Sequence, residues 1–131
     1  MSMNQRIVFA GPFDSWTFGK NASVLLWNYH DVNDTDVAPA DIDVKTNVGN
    51  DTKRVLVTRY CIDDSHSNSY SKRVAMGCPQ NPDEKQLREL QRAGDLEMSG
   101  SPEWKTVDRG IINDRMTLPR QGVMLLKMEL R

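Results

Sequence analysis

The segment RYCIDDSHSNSY, from Arg59 to Tyr70, contains the residue types from which hydrolytic and metal sites are built. A Ser/His/Asp mechanism needs three side chains within mutual hydrogen-bond reach, and proteins usually assemble them from distant parts of the chain. A metal site would use Asp63, Asp64 and His66, but the only other histidine, His30, is far away in sequence. We therefore predict neither a catalytic residue nor a metal ligand here.

Turn chemistry accounts for the same residues. Side chains of Asp, Ser and Asn bond to nearby backbone groups and hold non-repetitive turns. This favours a structural or interface loop over catalysis. The residues assigned to that loop are Asp63, His66, Ser67, Asn68 and Tyr70.

Aromatic side chains offer a second kind of site, because their faces suit the apolar faces of sugar rings. Trp27 and Tyr29 have apolar neighbours, so we predict that they pack in the core. Trp16 and Trp104 are the candidates for sugar stacking. The acid-rich segment 31–43 lacks the residue order of an EF-hand loop, and no phosphate-binding loop is present. We predict no cofactor.

Charge and hydropathy exclude several classes of partner. The 17 Lys+Arg and 18 Asp+Glu are interleaved and give a net charge of -1, so we expect no binding to nucleic acid or to an anionic membrane. The longest apolar runs, VLLW and VMLL, fall far short of the ~20 residues of a membrane span. The first residues do not resemble a signal peptide, which favours a cytoplasmic location.

Alternating apolar residues predict the strands that position these groups. The stretch 24–30 predicts a core strand with Leu25, Trp27 and Tyr29 facing inward. Strands at 42–48 and 53–62, joined by the turn NVGND, predict a hairpin. Two further strands are predicted near the C-terminus, through Ile112, Met116 and Leu118 and over residues 123–130.

One short surface helix is predicted over about residues 82–93. Asn81 would cap it, Pro82 would occupy its first position, and Gly94 would end it in a left-handed conformation. With five or six strands and no alternating βαβ pattern, the chain is predicted to be all-β, a single antiparallel β-sandwich over residues 1–131. Cys61 and Cys78 are expected to be buried or free thiols.

Four stretches carry a resemblance to a known family. In order, the chain contains LLWNYHD (25–31), RVLVTRYCIDDSHSNSYS (54–71), MGCPQNPDEKQLRELQRAGDLE (76–97) and LPRQGVMLLKMEL (118–130). Together they resemble the C-terminal region of glycoside hydrolase family 39, the β-xylosidases, and more distantly that of α-L-iduronidases. The N-terminal segment 1–23 has no counterpart in this resemblance, although residues 6–10 could add an edge strand.

The resemblance implies an accessory role. Enzymes of that family place an acid/base Glu and a nucleophile Glu on a (β/α)8 barrel, and nothing in this chain corresponds to the barrel. The chain is therefore expected to be a non-catalytic sandwich that acts in domain packing and oligomer assembly. Its expected partners are the barrel of a xylan β-xylosidase-like enzyme, another subunit, or a second copy of the chain.

Two alternatives remain open from the residues. One is a carbohydrate-binding module that holds xylan or xylo-oligosaccharides through Trp16 or Trp104. The other is an independent hydrolase that uses His66 with Asp63 or Asp64.

Overall fold

The computed structural model describes residues 21–29 and 38–131. This part of the chain forms an antiparallel β-sandwich with two short helices, which confirms the predicted all-β fold. Its elements are β1 (Asn21–Trp27), β2 (Ala40–Asn47), β3 (Arg54–Ile62), α1 (Ser69–Ala75), α2 (Glu84–Gly94), β4 (Glu97–Met98), β5 (Glu103–Thr106), β6 (Ile111–Leu118) and β7 (Val123–Leu130).

The strands form a five-stranded sheet and a two-stranded sheet. In the larger sheet β7 lies between β1 and β3, and the other edge of β3 pairs with β5 and then β4. The smaller sheet pairs β2 with β6. All these pairings are antiparallel.

The predicted hairpin between the second and third strands is wrong, because β2 and β3 lie in different sheets. The turn between them is present, but it carries the chain from one sheet to the other. Gly49 has a φ of 84°, and its carbonyl accepts from the Thr52 N–H at 3.4 Å. The Thr52 hydroxyl is buried with the rest of its side chain and donates to the Val48 carbonyl at 3.0 Å.

The core lies between the two sheets and consists of alternate residues of their facing strands. It contains Ala22, Val24, Leu26, Ile42, Val44, Val55, Val57, Cys61, Ile112, Leu118, Met124, Leu126, Met128 and Leu130. Both sides of the sandwich therefore obey the period of two that strands impose. The strands β2 and β6 follow the predicted pattern, and β7 lies where the closing strand was predicted.

The predicted phase of β1 is wrong. Leu25, Trp27 and Tyr29 were expected in the core, but they are 53%, 66% and 67% exposed. Their neighbours Val24 and Leu26 are buried instead. Because these neighbours are also apolar, the local sequence does not distinguish the two faces, and a shift of one residue exchanges them.

The predicted helix exists as α2, but its ends differ from the prediction. Asp83, and not Asn81, is the N-cap: its Oδ1 accepts from the Gln86 N–H at 2.8 Å, while Gln86 Oε1 accepts from the Asp83 N–H at 3.0 Å. This reciprocal capping box places Pro82 outside the helix. Gly94 is the last helical residue, and the extended backbone of Asp95 then leads towards β4.

The second helix, α1, was not predicted. It buries no residue, so it has no apolar periodicity that a sequence could display. Asn68 caps it by accepting from the Ser71 N–H at 3.1 Å, and Lys72 lies 3.7 Å from Glu89 of α2. Neither helix of the described residues has the length and apolar character needed to cross a membrane.

A buried cluster of charges joins the two sheets. Asp114 points inward from β6 and is 2% exposed. Arg59 of β3 binds it through both carboxylate oxygens, at 2.9 and 2.6 Å, and Lys105 of β5 lies 2.9 Å from Oδ1. Glu103 contacts the same guanidinium at 3.2 Å but is largely exposed. The hydrogen bond to Asp114 is the main cause that raises the pKa of Arg59.

Removing the central carboxylate should destabilise the sandwich strongly. The substitution Asp114→Ala leaves Arg59 and Lys105 near the interior without their anion, and we expect the free energy of unfolding to fall by ~3–5 kcal/mol. The matched control is Glu103→Gln, which weakens an exposed contact to the same guanidinium and should cost less than about 1 kcal/mol. Urea unfolding measures both. Equal losses in the two variants would contradict a central role for Asp114.

The same cluster should make stability depend on acid pH. Burial by itself raises the pKa of Asp114, but hydrogen bonds from Arg59 and Lys105 outweigh it and hold the pKa below its ordinary value of 3.8. The stabilisation is therefore complete above that ordinary value and is lost as the pH falls through the lower pKa of the folded state. The difference in unfolding free energy between the unaltered chain and Asp114→Asn should be constant near neutral pH and shrink in acid. A difference that is independent of pH would refute this assignment.

Candidate functional site

The loop 63–68, which follows β3, is organised around one carboxylate. Asp63 Oδ1 accepts from the Ser65 N–H at 2.8 Å and lies 2.8 Å from His66 Nδ1. The Asp63 backbone N–H donates to the His66 carbonyl at 3.0 Å, and Asn68 Nδ2 donates to the Asp63 carbonyl at 3.1 Å. These bonds fix the position of the Asp63 and His66 side chains relative to the strand.

Ser67 attaches the loop to the sheet. Its hydroxyl donates to the Cys61 carbonyl at 2.8 Å and accepts from the Glu97 N–H at 2.7 Å. Its φ of 53° lies in the left-handed region that is uncommon for a residue with a side chain. Because this hydroxyl bonds to two backbone groups, it is engaged in holding β3 and β4 together rather than poised as a nucleophile.

The fold adds Cys61 to the side chains of this loop. Ligand atoms of Cys61, Asp63 and His66 all lie within 4.8 Å of one another. Its inward position on β3 brings Cys61 there, which is why the residue types of the loop alone did not reveal it. Asp64 and Tyr70, which the sequence analysis also considered, are exposed and lie outside this group.

The electrostatics of this group centre on Asp63. Its hydrogen bond to the imidazole is the main cause that raises the pKa of His66 above 6.5. Burial, followed by the charge of Asp63, raises the pKa of the Cys61 thiol. Cys61 is buried, and Asp63 and His66 are partly exposed, so the group lies at the boundary between the core and solvent.

Trp104 is one of the residues that line an open cleft beside β5. Its side chain is 48% exposed, and the guanidinium carbon of Arg54 lies 4.3 Å from the centroid of its ring. The cation therefore covers one face of the ring, as in a cation–π contact. Trp16, the other predicted stacking residue, falls outside the described residues.

The outer face of the five-stranded sheet carries an apolar patch. In the strand register, Leu25 lies opposite Leu125, Leu125 opposite Tyr60, and Tyr60 opposite Met98; a second row joins Trp27, Val123 and Ile62. We call these residues the apolar outer patch: Leu25, Trp27, Tyr60, Ile62, Met98, Val123 and Leu125. Four of them are more than two-fifths exposed, at 53% for Leu25, 66% for Trp27, 41% for Ile62 and 43% for Met98.

Comparison with known proteins identifies the family. The family model "Glycosyl hydrolases family 39" matches residues 7–108, which is most of the chain. The chain belongs to glycoside hydrolase family 39. This confirms the resemblance seen in its motifs. No curated protein sequence gives a significant match.

Solved structures of family 39 enzymes share the fold. The enzyme from Xanthomonas axonopodis pv. citri has a TM-score of 0.69 at 15% identity, and the match covers 86% of this chain and 24% of that one. A monomeric β-xylosidase from Caulobacter crescentus CB15 has a TM-score of 0.61 at 15% identity, over 85% of this chain and 24% of that one.

A third solved structure, whose name gives a different activity, shares this fold as well. A bacterial orthologue of human α-L-iduronidase has a TM-score of 0.58 at 16% identity, and the match covers 82% of this chain and 22% of that one. This chain thus spans about a quarter of the length of the structures it resembles. At these identities the likeness establishes a shared fold, not a shared activity.

The Ser67 hydroxyl should be required for the junction between β3, β4 and the loop. The substitution Ser67→Ala leaves the Glu97 N–H without its acceptor, and we expect a loss of ~1–2 kcal/mol in the free energy of unfolding. The same change at Ser65, whose side chain is exposed, should alter stability by less than about 0.5 kcal/mol. Urea unfolding and hydrogen exchange at the Glu97 amide measure this. An unchanged exchange rate in Ser67→Ala would show that the bond does not hold the junction.

Proposed function

We propose that this chain is the non-catalytic accessory β-sandwich of a family 39 glycoside hydrolase of the xylan β-xylosidase type. In this role it packs against the catalytic barrel through the apolar outer patch. The observation that carries the proposal is the match itself, which covers 86% of this chain but only 24% of the Xanthomonas enzyme. A function in packing and assembly suits a segment that is one part of a larger enzyme.

The two carboxylates that share Arg59 support a non-catalytic role. Retaining glycosidases need two carboxyl groups about 5 Å apart in a substrate cleft, one of which is a proton donor with a raised pKa. Asp114 and Glu103 both contact Arg59, but Asp114 is buried and its pKa is lowered. The buried carboxylate thus has neither the access nor the protonation that a glycosidase acid requires.

The distribution of polarity over the outer face supports a docking surface. Along β7, the outward side chains Val123 and Leu125 at the end nearest the loop 63–68 are apolar, whereas Lys127 and Glu129 at the other end are charged and exposed. Contiguous apolar patches on an exposed face usually mark sites of interaction. The polar end then gives the rim of the interface, and the apolar end gives its centre.

The carbohydrate-binding alternative has less support from the described residues. Stacking on a sugar needs an accessible aromatic face, and Arg54 covers one face of Trp104. The apolar outer patch consists mainly of aliphatic side chains, which suit protein packing better than they suit a sugar with many hydroxyl groups.

The docking proposal is tested by substituting one leucine on the apolar outer patch and, as a control, one leucine outside it. Leu25 and Leu87 are 53% and 46% exposed, and Leu87 lies on α2. The chain is co-expressed with a family 39 (β/α)8 barrel, and the affinity of the complex is measured by calorimetry. Because burial of a leucine is worth ~1.5–3 kcal/mol, Leu25→Ser should weaken binding about 10- to 100-fold. Leu87→Ser should leave it unchanged.

Three other results would redirect the proposal. Equal binding by both variants would remove the patch from the interface. Light scattering that finds a stable dimer, lost in Leu25→Ser, together with no affinity for the barrel, would assign the patch to a second copy of the chain. Hydrolysis of an aryl xyloside by the purified chain, abolished in His66→Ala, would replace the accessory role with the independent hydrolase.

A further inference from the structure

The end of β3 and the loop 63–68 bring together three different metal-ligating groups. A thiol from Cys61, a carboxylate from Asp63 and an imidazole from His66 place their ligand atoms within 4.8 Å of one another. The three residues occupy a short stretch of chain, but they converge because β3 turns Cys61 inward and the loop then folds back over the strand end. This arrangement goes beyond the accessory role and does not rest on it.

The loop holds the two exposed groups in place before any ligand binds. Asp63 is fixed by the Ser65 N–H and by the imidazole of His66, both at 2.8 Å. Asn68 bonds to the Asp63 carbonyl, and Ser67 bonds to the Cys61 carbonyl. Side-chain hydrogen bonds to the backbone carbonyls of Cys61 and Asp63 thus position each end of the group, which lowers the cost of ordering it around an ion.

The spacing is compatible with a tetrahedral ion after small movements. With bonds of about 2.3 Å to sulfur and about 2.0 Å to nitrogen or oxygen, neighbouring ligand atoms in a tetrahedral site lie roughly 3.3–3.6 Å apart. The 2.8 Å between Asp63 Oδ1 and His66 Nδ1 lies just below this range, and the 4.8 Å limit on the separations within the group lies above it.

The mixture of donors selects the class of ion. Mg²⁺ and Ca²⁺ prefer oxygen ligands alone, whereas thiolate and imidazole suit Zn²⁺. We propose that Cys61, Asp63 and His66 bind one Zn²⁺ ion, with water or an external ligand in the fourth position. Binding replaces the proton of the Cys61 thiol, which passes to solvent, and His66 binds as a neutral imidazole that keeps its proton on the ring nitrogen away from the ion. The ion ties the end of β3 to the loop that leads into α1.

Cobalt(II) is the probe that tests this proposal, because its spectrum reports both the donor atoms and the geometry. The full chain is titrated with Co²⁺ at about pH 8, where a thiol loses its proton more readily. We expect one ion per chain, a thiolate-to-cobalt charge-transfer band in the near ultraviolet and the intense visible bands of tetrahedral cobalt. Zn²⁺ should displace the cobalt and remove these bands. A spectrum of hydrated, octahedral cobalt without the charge-transfer band would overturn the proposal.

The second thiol provides a matched control. Cys78 is exposed and free, so Cys78→Ser should retain the bands, whereas Cys61→Ser should lose them. Retention of the charge-transfer band in Cys61→Ser would overturn the site. Because Cys61 is buried, its variant is first checked for a native near-ultraviolet circular dichroism spectrum.

Variants of the exposed ligands keep the proposal testable if Cys61→Ser does not fold. His66→Gln and Asp63→Asn each remove one ligand, and Asp63→Asn retains an oxygen that can accept from the Ser65 N–H. Each should weaken Co²⁺ binding at least about tenfold. Zn²⁺ should raise the Tm of the unaltered chain and of Cys78→Ser, but not that of His66→Gln. Affinities unchanged in both ligand variants would overturn the assignment.

Discussion

The ion cluster at Asp114 determines how the two sheets meet. A two-stranded sheet has little stability of its own, so β2 and β6 depend on what they contact in the larger sheet. Asp114 is the charged contact, since Arg59 and Lys105 both bind it from the larger sheet. A buried ion pair adds little net stability compared with apolar packing, but it penalises misalignment heavily. A slip of β6 by one residue would turn Asp114 outward and remove this carboxylate from both cations.

The same contact fixes which face of β3 is inside. With Arg59 turned inward, period-two alternation places Cys61 in the core and Ile62 on the outer face. The inward position of the Cys61 thiol and the outward position of the Ile62 side chain therefore both follow from one orientation of β3. The loop that follows inherits its starting position from this strand, and Ser67 secures it through the Cys61 carbonyl at 2.8 Å.

Local patterns predicted the parts of the fold that local physics decides. Strands with one apolar face, such as β2 and β6, and the polar N-terminal signals of α2 were recognisable in the sequence. The pairing partner of β2 was not recognisable in the sequence, because the turn at Gly49 has the composition of a hairpin turn but connects two sheets. The sequence singled out Asp63 and His66 by residue type, as parts of a structural or interface loop, whereas the proximity of Cys61 depends on the phase of β3. An arginine and an aspartate at inward positions of apolar strands were the available signal for the cluster that sets this phase.

The sequence of strand β1 agrees with the proposed docking of a partner on the apolar outer patch. Its buried residues Ala22, Val24 and Leu26 are apolar, and so are its exposed residues Leu25 and Trp27. A strand that faces solvent on one side alternates apolar with polar residues, whereas a strand covered on both sides reads as a continuous apolar run. The first half of β1, with Asn21 and Ser23 on its outer face, has the alternating pattern of a strand exposed on one side. Its second half has the continuous apolar run of a strand covered on both sides. The change occurs within the strand, so the part of the outer face with the pattern of a covered strand is limited to one end of the sheet, which is the end where the loop 63–68 begins.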